Sequence, residues 1–218
     1  MLPLHQQFGE IDIYVFDQLL KGRIAPGMTV LDAGCGGGRN LVYLLREGYR
    51  VFACDIGAAE VDDVRALALE LNPSLPASNF RVEPVEAMTF PDALADVVLC
   101  NTVLHFARDD AHFQAMLDSL WRVLAPGGIL FCRLGSTIGM ESQVVRIAER
   151  IPGQPCDVQS RRFKSPDGSE RYLVDAEQLL AHTHRLGAQL ADPIKTTVVH
   201  AQRSMTTWVL RKNAPPRA

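Results

Sequence analysis

Three glycines, Gly34, Gly36 and Gly38, alternate in the cluster Gly34-Cys35-Gly36-Gly37-Gly38, directly after the apolar run Met28 to Ala33. Without Cβ atoms they let a backbone turn sharply, approach a ligand closely and aim the amides of a following helix at it. Such a loop also occurs as a plain turn. A dinucleotide fingerprint, G-x-G-x-x-G counted from Gly34, asks for glycine at position 39, where this sequence has Arg39. The second group with chemical reach is Asp55, which ends the run Arg50 to Cys54. An acid at that place accepts the hydroxyls of a ribose, or it caps the helix that follows. Glycine loop and acid together point to nucleoside binding. His105 lies just past the apolar run Ala95 to Cys100. Its ordinary pKa near neutrality makes it the candidate general base, and the alternative is a structural hydrogen-bond group at a strand end.

Other residue types carry weaker signals. Cys54, Cys100 and Cys132 each close an apolar run, where free cysteine serves as a small core residue rather than a nucleophile. His182 and His184 stand two apart on an expected helix, so their side chains diverge and make a poor metal pair. Arg161, Arg162 and Lys164 could meet an anionic substrate or form a solvated charge run.

The elements that must position these residues follow from periodicity. Phe8, Ile11, Val15 and Leu19, with Phe16 and Leu20 beside them, read as one amphipathic helix over 8–21, broken by Pro26-Gly27. Strands are expected at 28–33, 50–54, 80–83, 95–100 and 129–134. Helices are expected between them, one carrying Leu41, Leu44 and Leu45, one carrying Val61, Val64, Ala68 and Leu71, and one carrying Phe113, Leu117, Leu120 and Leu124. Pro126-Gly127-Gly128 is expected to close the last of these. Alternation of this kind means βαβ units and a parallel sheet with helices on both faces. The expected fold is therefore a doubly wound α/β domain over 1–218, its mainly parallel seven-stranded sheet ending in an antiparallel hairpin formed by 194–200 and 204–211. Asp175 is placed to cap a helix that ends at Gly187. The stretch 135–174, with Pro152, Gly153, Pro155, Pro166 and Asp167-Gly168, reads as an irregular substrate-side insertion. The 8–21 helix reads as a lid.

Bulk composition sets outer bounds. The 218 residues, 47% hydrophobic and 22% charged, suit one folded domain and argue against disorder. No apolar run reaches the length of a membrane span, and Met1 to Glu10 lack the regions of a secretory signal, so a cytoplasmic location is expected. Five cysteines without a Cys-x-x-Cys pair give neither a disulfide framework nor a zinc site. The net charge of −3 offers no reason to expect nucleic acid. It is unevenly spread, however. Residues 1–132 hold 9 Lys/Arg against 17 Asp/Glu, and residues 133–218 hold 13 against 8. The basic second part is either solvated surface or a rim on the substrate side.

Four motifs in order give a family resemblance: Val30 to Asn40, Val51 to Asp55, Asp96 to Phe106 and Leu120 to Leu130. Together with the terminal hairpin, the span 28–134 resembles the class I S-adenosylmethionine-dependent methyltransferases. The Gly38-Arg39-Asn40 ending is similar to the tellurite-resistance type within that family. The resemblance implies S-adenosylmethionine as cofactor, S-adenosylhomocysteine as product and no metal. It implies that Gly34, Cys35 and Gly36 lie along the methionine part of the cofactor, with Asp32 holding the loop and the ammonium group and Asn40 nearby. Tyr14, on the expected lid helix, either donates to the cofactor carboxylate or only packs. It further implies that Asp55 binds the ribose, Ile56 packs on the adenine, and carbonyls around Asn101 help with the ammonium. Where the family often has an adenine-binding Asp this sequence has Pro84, so Glu86 and the amide of Val85 take that place.

The reaction so implied is in-line displacement at an activated methyl carbon on a small-molecule acceptor, with His105 as base where the acceptor arrives protonated. Arg39 and the hairpin count against a nucleotide-dependent oxidoreductase. A non-catalytic protein binding the cofactor or its product remains the alternative. Asn101-Thr102-Val103-Leu104 departs after its first residue from the Asn-Pro-Pro-Tyr pattern used on exocyclic amines.

Overall fold

The structure, a computed structural model, describes residues 2–149 and 158–214. Two short helices open the chain, α1 (Leu4–Phe8) and α2 (Ile13–Leu20). Then follow β1 (Thr29–Ala33), α3 (Val42–Arg46), β2 (Arg50–Asp55), α4 (Ala58–Leu71), β3 (Phe80–Val82), β4 (Ala95–Asn101), α5 (Asp110–Val123) and β5 (Leu124–Gly135). Three strands come next, β6 (Val145–Glu149), β7 (Val158–Lys164) and β8 (Glu170–Tyr172). The described chain closes with α6 (Ala176–Arg185), β9 (Gln189–Leu190), β10 (Lys195–Val199) and β11 (Arg203–Arg211).

The main sheet runs β3-β2-β1-β4-β5-β11-β10, parallel from β3 to β5, with β11 antiparallel to both β5 and β10. The expected doubly wound sheet with a terminal hairpin is what forms, and β9 adds two residues beside β11. Alternation along the central strands explains why the sheet is covered on both faces. Leu31, Val98, Cys100 and Leu130 join α5 and α6 in one core. Val30, Val97, Leu99 and Phe131 join α2, α3 and α4 in the other. A slip of one residue would exchange the two sets, so burial fixes the register. Each fully buried Val or Leu is worth about 1.5–3 kcal/mol. Trp208, fully buried on β11, donates its indole N–H to Thr183 on α6 (3.0 Å), which ties the hairpin to the helical layer.

Strand order reverses between β1 and β4, since β1 pairs with β2 on one side and β4 on the other. At such a switch point the loops leaving the two strands diverge and open a crevice beyond their C-terminal ends. Gly34 leaves β1 and Thr102 leaves β4 there.

Three expectations need correction. The helix over 8–21 is broken: Gly9 turns left-handed (φ 61°) between α1 and α2, and a Cβ there would lie 2.7 Å from Val42. Asp12 then starts α2 by accepting from the Tyr14 amide (2.9 Å), a cap signal hidden inside the apolar spacing. The helix α5 ends at Val123, so Pro126-Gly127-Gly128 lies within the following strand, in a bulge between the Ala95 and Val97 pairings. Finally, the described residues of 135–174 are not all irregular: β6, β7 and β8 form a second, antiparallel sheet. Strand β7, Val-Gln-Ser-Arg-Arg-Phe-Lys, has no two-residue apolar alternation, and β6 and β8 are too short to announce themselves, so periodicity misses them. Asp167-Gly168 does make the expected turn, with the Gly168 amide donating to the Ser165 carbonyl (2.9 Å). Pro152, Gly153, Pro155 and Cys156 lie outside the described residues.

Candidate active site

The glycine loop is fastened to the end of β2. The amides of Gly34 and Cys35 both donate to the Cys54 carbonyl (2.8 and 3.0 Å), and the Gly36 amide donates to Asp55 Oδ2 (2.9 Å). Asp55 Oδ1 accepts from the Gly57 amide (3.0 Å), just ahead of α4. Asp55 thus organises the loop and the turn ahead of α4 without being the helix cap, and it lines a cavity. Gly34 and Gly36 need glycine for different reasons. A Cβ at Gly34 (φ 77°) would sit 2.3 Å from Val103, whereas one at Gly36 (φ 50°) would meet nothing within 4 Å. Gly36 is thus open toward the crevice, and Gly34 is closed by the protein itself.

That crevice is a cavity of about 540 Å³, lined by Gly34, Gly36, Asp55, Ile56, Val85 and Glu86 on one side and Asn101, Thr102, Val103 and Phe106 on the other. Ile56 is 76% exposed, a large apolar side chain standing at its wall. Glu86 Oε1 lies 3.0 Å from His112 Nε2. Because His112 Nδ1 accepts from the Arg108 amide (3.1 Å), a neutral His112 carries its proton on Nε2, facing Glu86.

Two buried side chains on the adjacent strands β1 and β4 have no hydrogen-bond partner among the described residues: both carboxylate oxygens of Asp32, and both amide atoms of Asn101, which lines the cavity. Buried polar groups are almost always satisfied, so orphans on neighbouring strand ends mark a place for a ligand. Burial pushes the Asp32 carboxyl up to about 7, against the pull of Arg39 and with the help of Asp55. Thr102 marks the same place by its backbone. It is left-handed without being glycine (φ 66°), and such strain collects at functional sites.

Several expected residues lie elsewhere. Cys35 is buried in the core with its thiol, pushed well up by burial, so only its backbone faces the loop. Cys54, Cys100 and Cys132 are core residues as expected; burial takes the Cys54 thiol up to about 12. Asn40 is turned to the N-terminal segment, accepting from the Asp12 amide (3.0 Å). The Tyr14 hydroxyl is engaged with Thr197 Oγ1 (2.6 Å), and its ring lies under the Arg133 guanidinium, 5.1 Å away. Neither Asn40 nor Tyr14 lines the cavity.

His105 lines a second cavity of about 440 Å³, which meets the first at Thr102. Its Nδ1 accepts from the Gly135 amide (3.1 Å), and burial, helped by Arg171, lowers its pKa to about 4. The ring is therefore neutral at physiological pH with its proton on Nε2, which makes it a donor. This geometry opposes the expected role of general base, because the basic nitrogen is occupied by the backbone. Sequence reasoning also missed the side chains that give this cavity its character: Arg39, Arg133, Arg171 and Arg203, with Asp167 as the one acid among its lining residues. The arginines singled out from the sequence are engaged elsewhere, Arg161 with Asp175 (3.1 Å) and Arg162 with Glu170 (3.8 Å). The basic second part of the chain was the signal, read at too coarse a scale. Asp12 was missed as well. It is buried, bonds Arg133 (3.0 Å) and lies 3.6 Å from Arg39.

A switch-point crevice with a glycine loop, an acid at the end of the second strand and an orphaned carboxylate defines a site for a nucleoside cofactor with a cationic arm. A second, polar cavity adjoins it. Known proteins agree. A methyltransferase domain family matches residues 31–132. The tRNA 5-carboxymethoxyuridine methyltransferase of Escherichia coli strain K12 is 28% identical over 187 residues, covering 84% of this chain and 68% of that one. A ubiquinone biosynthesis O-methyltransferase of Methylocella silvestris is 32% identical over 166 residues, covering 73% and 62%. The chain thus spans about two thirds of the length of these relatives. The 1,6-didemethyltoxoflavin-N1-methyltransferase of Burkholderia thailandensis, solved with its substrate and S-adenosylhomocysteine, shares the fold. Its TM-score is 0.66 at 19% identity, over 94% of this chain and 79% of that one. Residues 31–132 are thus those of a methyltransferase domain, and the fold is that of the class I S-adenosylmethionine-dependent methyltransferases. The chain's cofactor is S-adenosylmethionine, and its reaction class is methyl transfer.

Proposed function

We propose that the protein methylates a small molecule held in the 440 Å³ cavity, with the cofactor in the 540 Å³ cavity beside it. The observation that carries this reading is the meeting of the two cavities at Thr102, which puts donor and acceptor on either side of one strained backbone position. When bound, the cofactor supplies a methyl group already activated by a positive sulfonium. The chain has to orient, shield and align it. Asp32 and Asn101 receive the ammonium end, since both are orphaned and buried. Asp55 takes the ribose with the lone pairs left after its two amide bonds. Ile56 and Val85 flank the adenine, and Glu86, fixed opposite His112, accepts from its amino group. His105 acts as a positioning donor toward the acceptor.

A compact cavity of this volume suits a small ligand better than a polynucleotide, and the net charge of −3 gives no general reason to expect nucleic acid. A cytoplasmic location belongs to the same reading and is supported by free thiols at all four described cysteines. The test is to incubate the purified protein with methyl-labelled S-adenosylmethionine and either a low-molecular-weight metabolite extract or total tRNA. Label should appear in the small-molecule fraction. Label confined to tRNA would reject the small-molecule acceptor.

A further inference from the structure

We infer that the acceptor is an anion: a small molecule whose carboxylate or phosphate group docks on Arg133, Arg171 and Arg203 in the second cavity, an inference that rests on the assignment of that cavity to the acceptor. The positive charge there is largely unopposed. Elsewhere Arg23 has Asp192 (2.5 Å), Arg122 has Asp92 (2.7 Å) and Arg185 has Asp118 (2.7 Å). Arg171 and Arg203 have no carboxylate within 4 Å among the described residues. The Arg171 guanidinium donates only to the Glu170 carbonyl (2.8 Å) and lies over the Phe106 ring at 4.8 Å.

Arg39 and Arg133 share the single carboxylate of Asp12, and Asp167 is held in its own turn by the amide and hydroxyl of Ser169 (2.9 and 2.6 Å). Set against Asp12 and Asp167, the four lining arginines leave two positive charges in excess. The arginines come from separate elements. Arg133 is on β5, Arg171 on β8 and Arg203 on β11, so three strands aim guanidinium groups at one space.

Arg133 supplies a second, independent sign. Its Nε is buried and has no acceptor among the described residues. Its Nη1 is taken by Asp12, which fixes the planar fork in place. A fixed guanidinium with a free, buried N–H is half of the geometry by which arginine grips a carboxylate or phosphate. The neutral His105, with its proton on Nε2, adds a donor to the same wall. Serine hydroxyls nearby do not compete for the anion. Ser136 bonds Thr206 (2.7 Å) and Ser204 donates to the Ile138 carbonyl (2.7 Å).

The test uses the full chain loaded with S-adenosylhomocysteine, at constant ionic strength set with chloride. Loading is measured first by calorimetry; a protein that does not bind S-adenosylhomocysteine sinks the cofactor assignment, and this inference with it. On the loaded protein, benzoate, succinate, inorganic phosphate and phosphoserine are titrated against benzamide and benzylamine as neutral and cationic controls, with the thermal midpoint as readout. The expected result is a saturable rise with carboxylates or with phosphates and none with the controls. Which anion acts tells a carboxylate acceptor from a phosphorylated one. Arg171→Gln and Arg203→Gln should each weaken the effective anion roughly tenfold, as expected for one charge-assisted hydrogen bond. Loaded protein that responds to no anion, that responds equally to benzamide, or whose anion response survives both substitutions overturns the inference.

Discussion

Asp32 offers the sharpest quantitative test, because an orphaned carboxyl with a pKa near neutrality couples cofactor binding to pH. Held at about 7 by burial, the group is about 3% ionised at pH 5.5 and about three-quarters ionised at pH 7.5. A cationic methionine end favours the ionised form, so binding drives the proton off. Affinity for S-adenosylhomocysteine should then fall roughly 25-fold from pH 7.5 to 5.5, close to 2 kcal/mol. Calorimetry across that window, repeated in buffers of different ionisation enthalpy, reads both the affinity and the released proton. Asp32→Asn should bind more weakly than the wild type at pH 7.5 and show almost no slope. The cofactor-free protein should behave in the opposite sense. A carboxyl raised from 3.8 to about 7 contributes stability below its ordinary pKa and loses it as pH rises through 7. His105, lowered from 6.5 to about 4, runs the other way and loses stability as pH falls through that range, so the Asp32→Asn protein is the proper reference. An affinity that stays flat in the wild type, or an equal slope in Asp32→Asn, would refute the reasoning about the buried carboxylate.

Further expectations follow from the same geometry. Asp55→Ala should weaken cofactor binding by about ten- to a hundredfold, given roughly 1.5–3 kcal/mol for a hydrogen bond to a charged group, and calorimetry on the folded variant checks it. Unchanged affinity would mean that the ribose is held elsewhere. Gly36→Val has room for its side chain in the cofactor-free protein but strains a left-handed backbone and fills the crevice. It should fold and lose the thermal shift given by S-adenosylhomocysteine, and a normal shift would reject the placement of the loop. The His105 ring should show no titration between pH 8 and 5 by NMR, and an inflection near 6.5 would restore it as a candidate base. Trp208→Ala should cost about 3–5 kcal/mol in denaturant unfolding, from the emptied core volume and the lost bond to Thr183.

What could be read from the sequence was set by local rules. Val97, Val98, Leu99 and Cys100 announce a strand buried on both faces, and glycines 34, 36 and 38 announce a sharp turn after another, so sheet order and crevice follow. The capping box at Asp175 and Gln178 is equally local. The acceptor cavity escaped because its residues are brought together only by tertiary pairing: Arg133, Arg171 and Arg203 are far apart in the chain and meet through β5, β8 and β11. The residue type of His105 suggests a base, while the Gly135 amide that occupies its Nδ1 is 30 residues away and beyond the reach of local rules. Asp12 was passed over because a carboxylate inside an apolar periodicity reads as the solvent face of a helix, and here it is 6% exposed.

Asp12 has a consequence for how this scaffold can change its trade. One side chain starts α2, anchors Arg133 and sits beside Arg39, so any substitution there is felt at once by the N-terminal segment and the cavity floor. Losing it would leave the half-buried Arg133 guanidinium without its carboxylate and the start of α2 without its cap. Arg171 and Arg203 carry no such burden, since neither is paired with a carboxylate within 4 Å among the described residues and Asp167 is held chiefly by Ser169. Descendants of this chain are therefore free to explore new acceptors by altering the two outer arginines, while Asp12 and Arg133 stay frozen together. Substrate preference can drift at the rim without the fold having to be solved again.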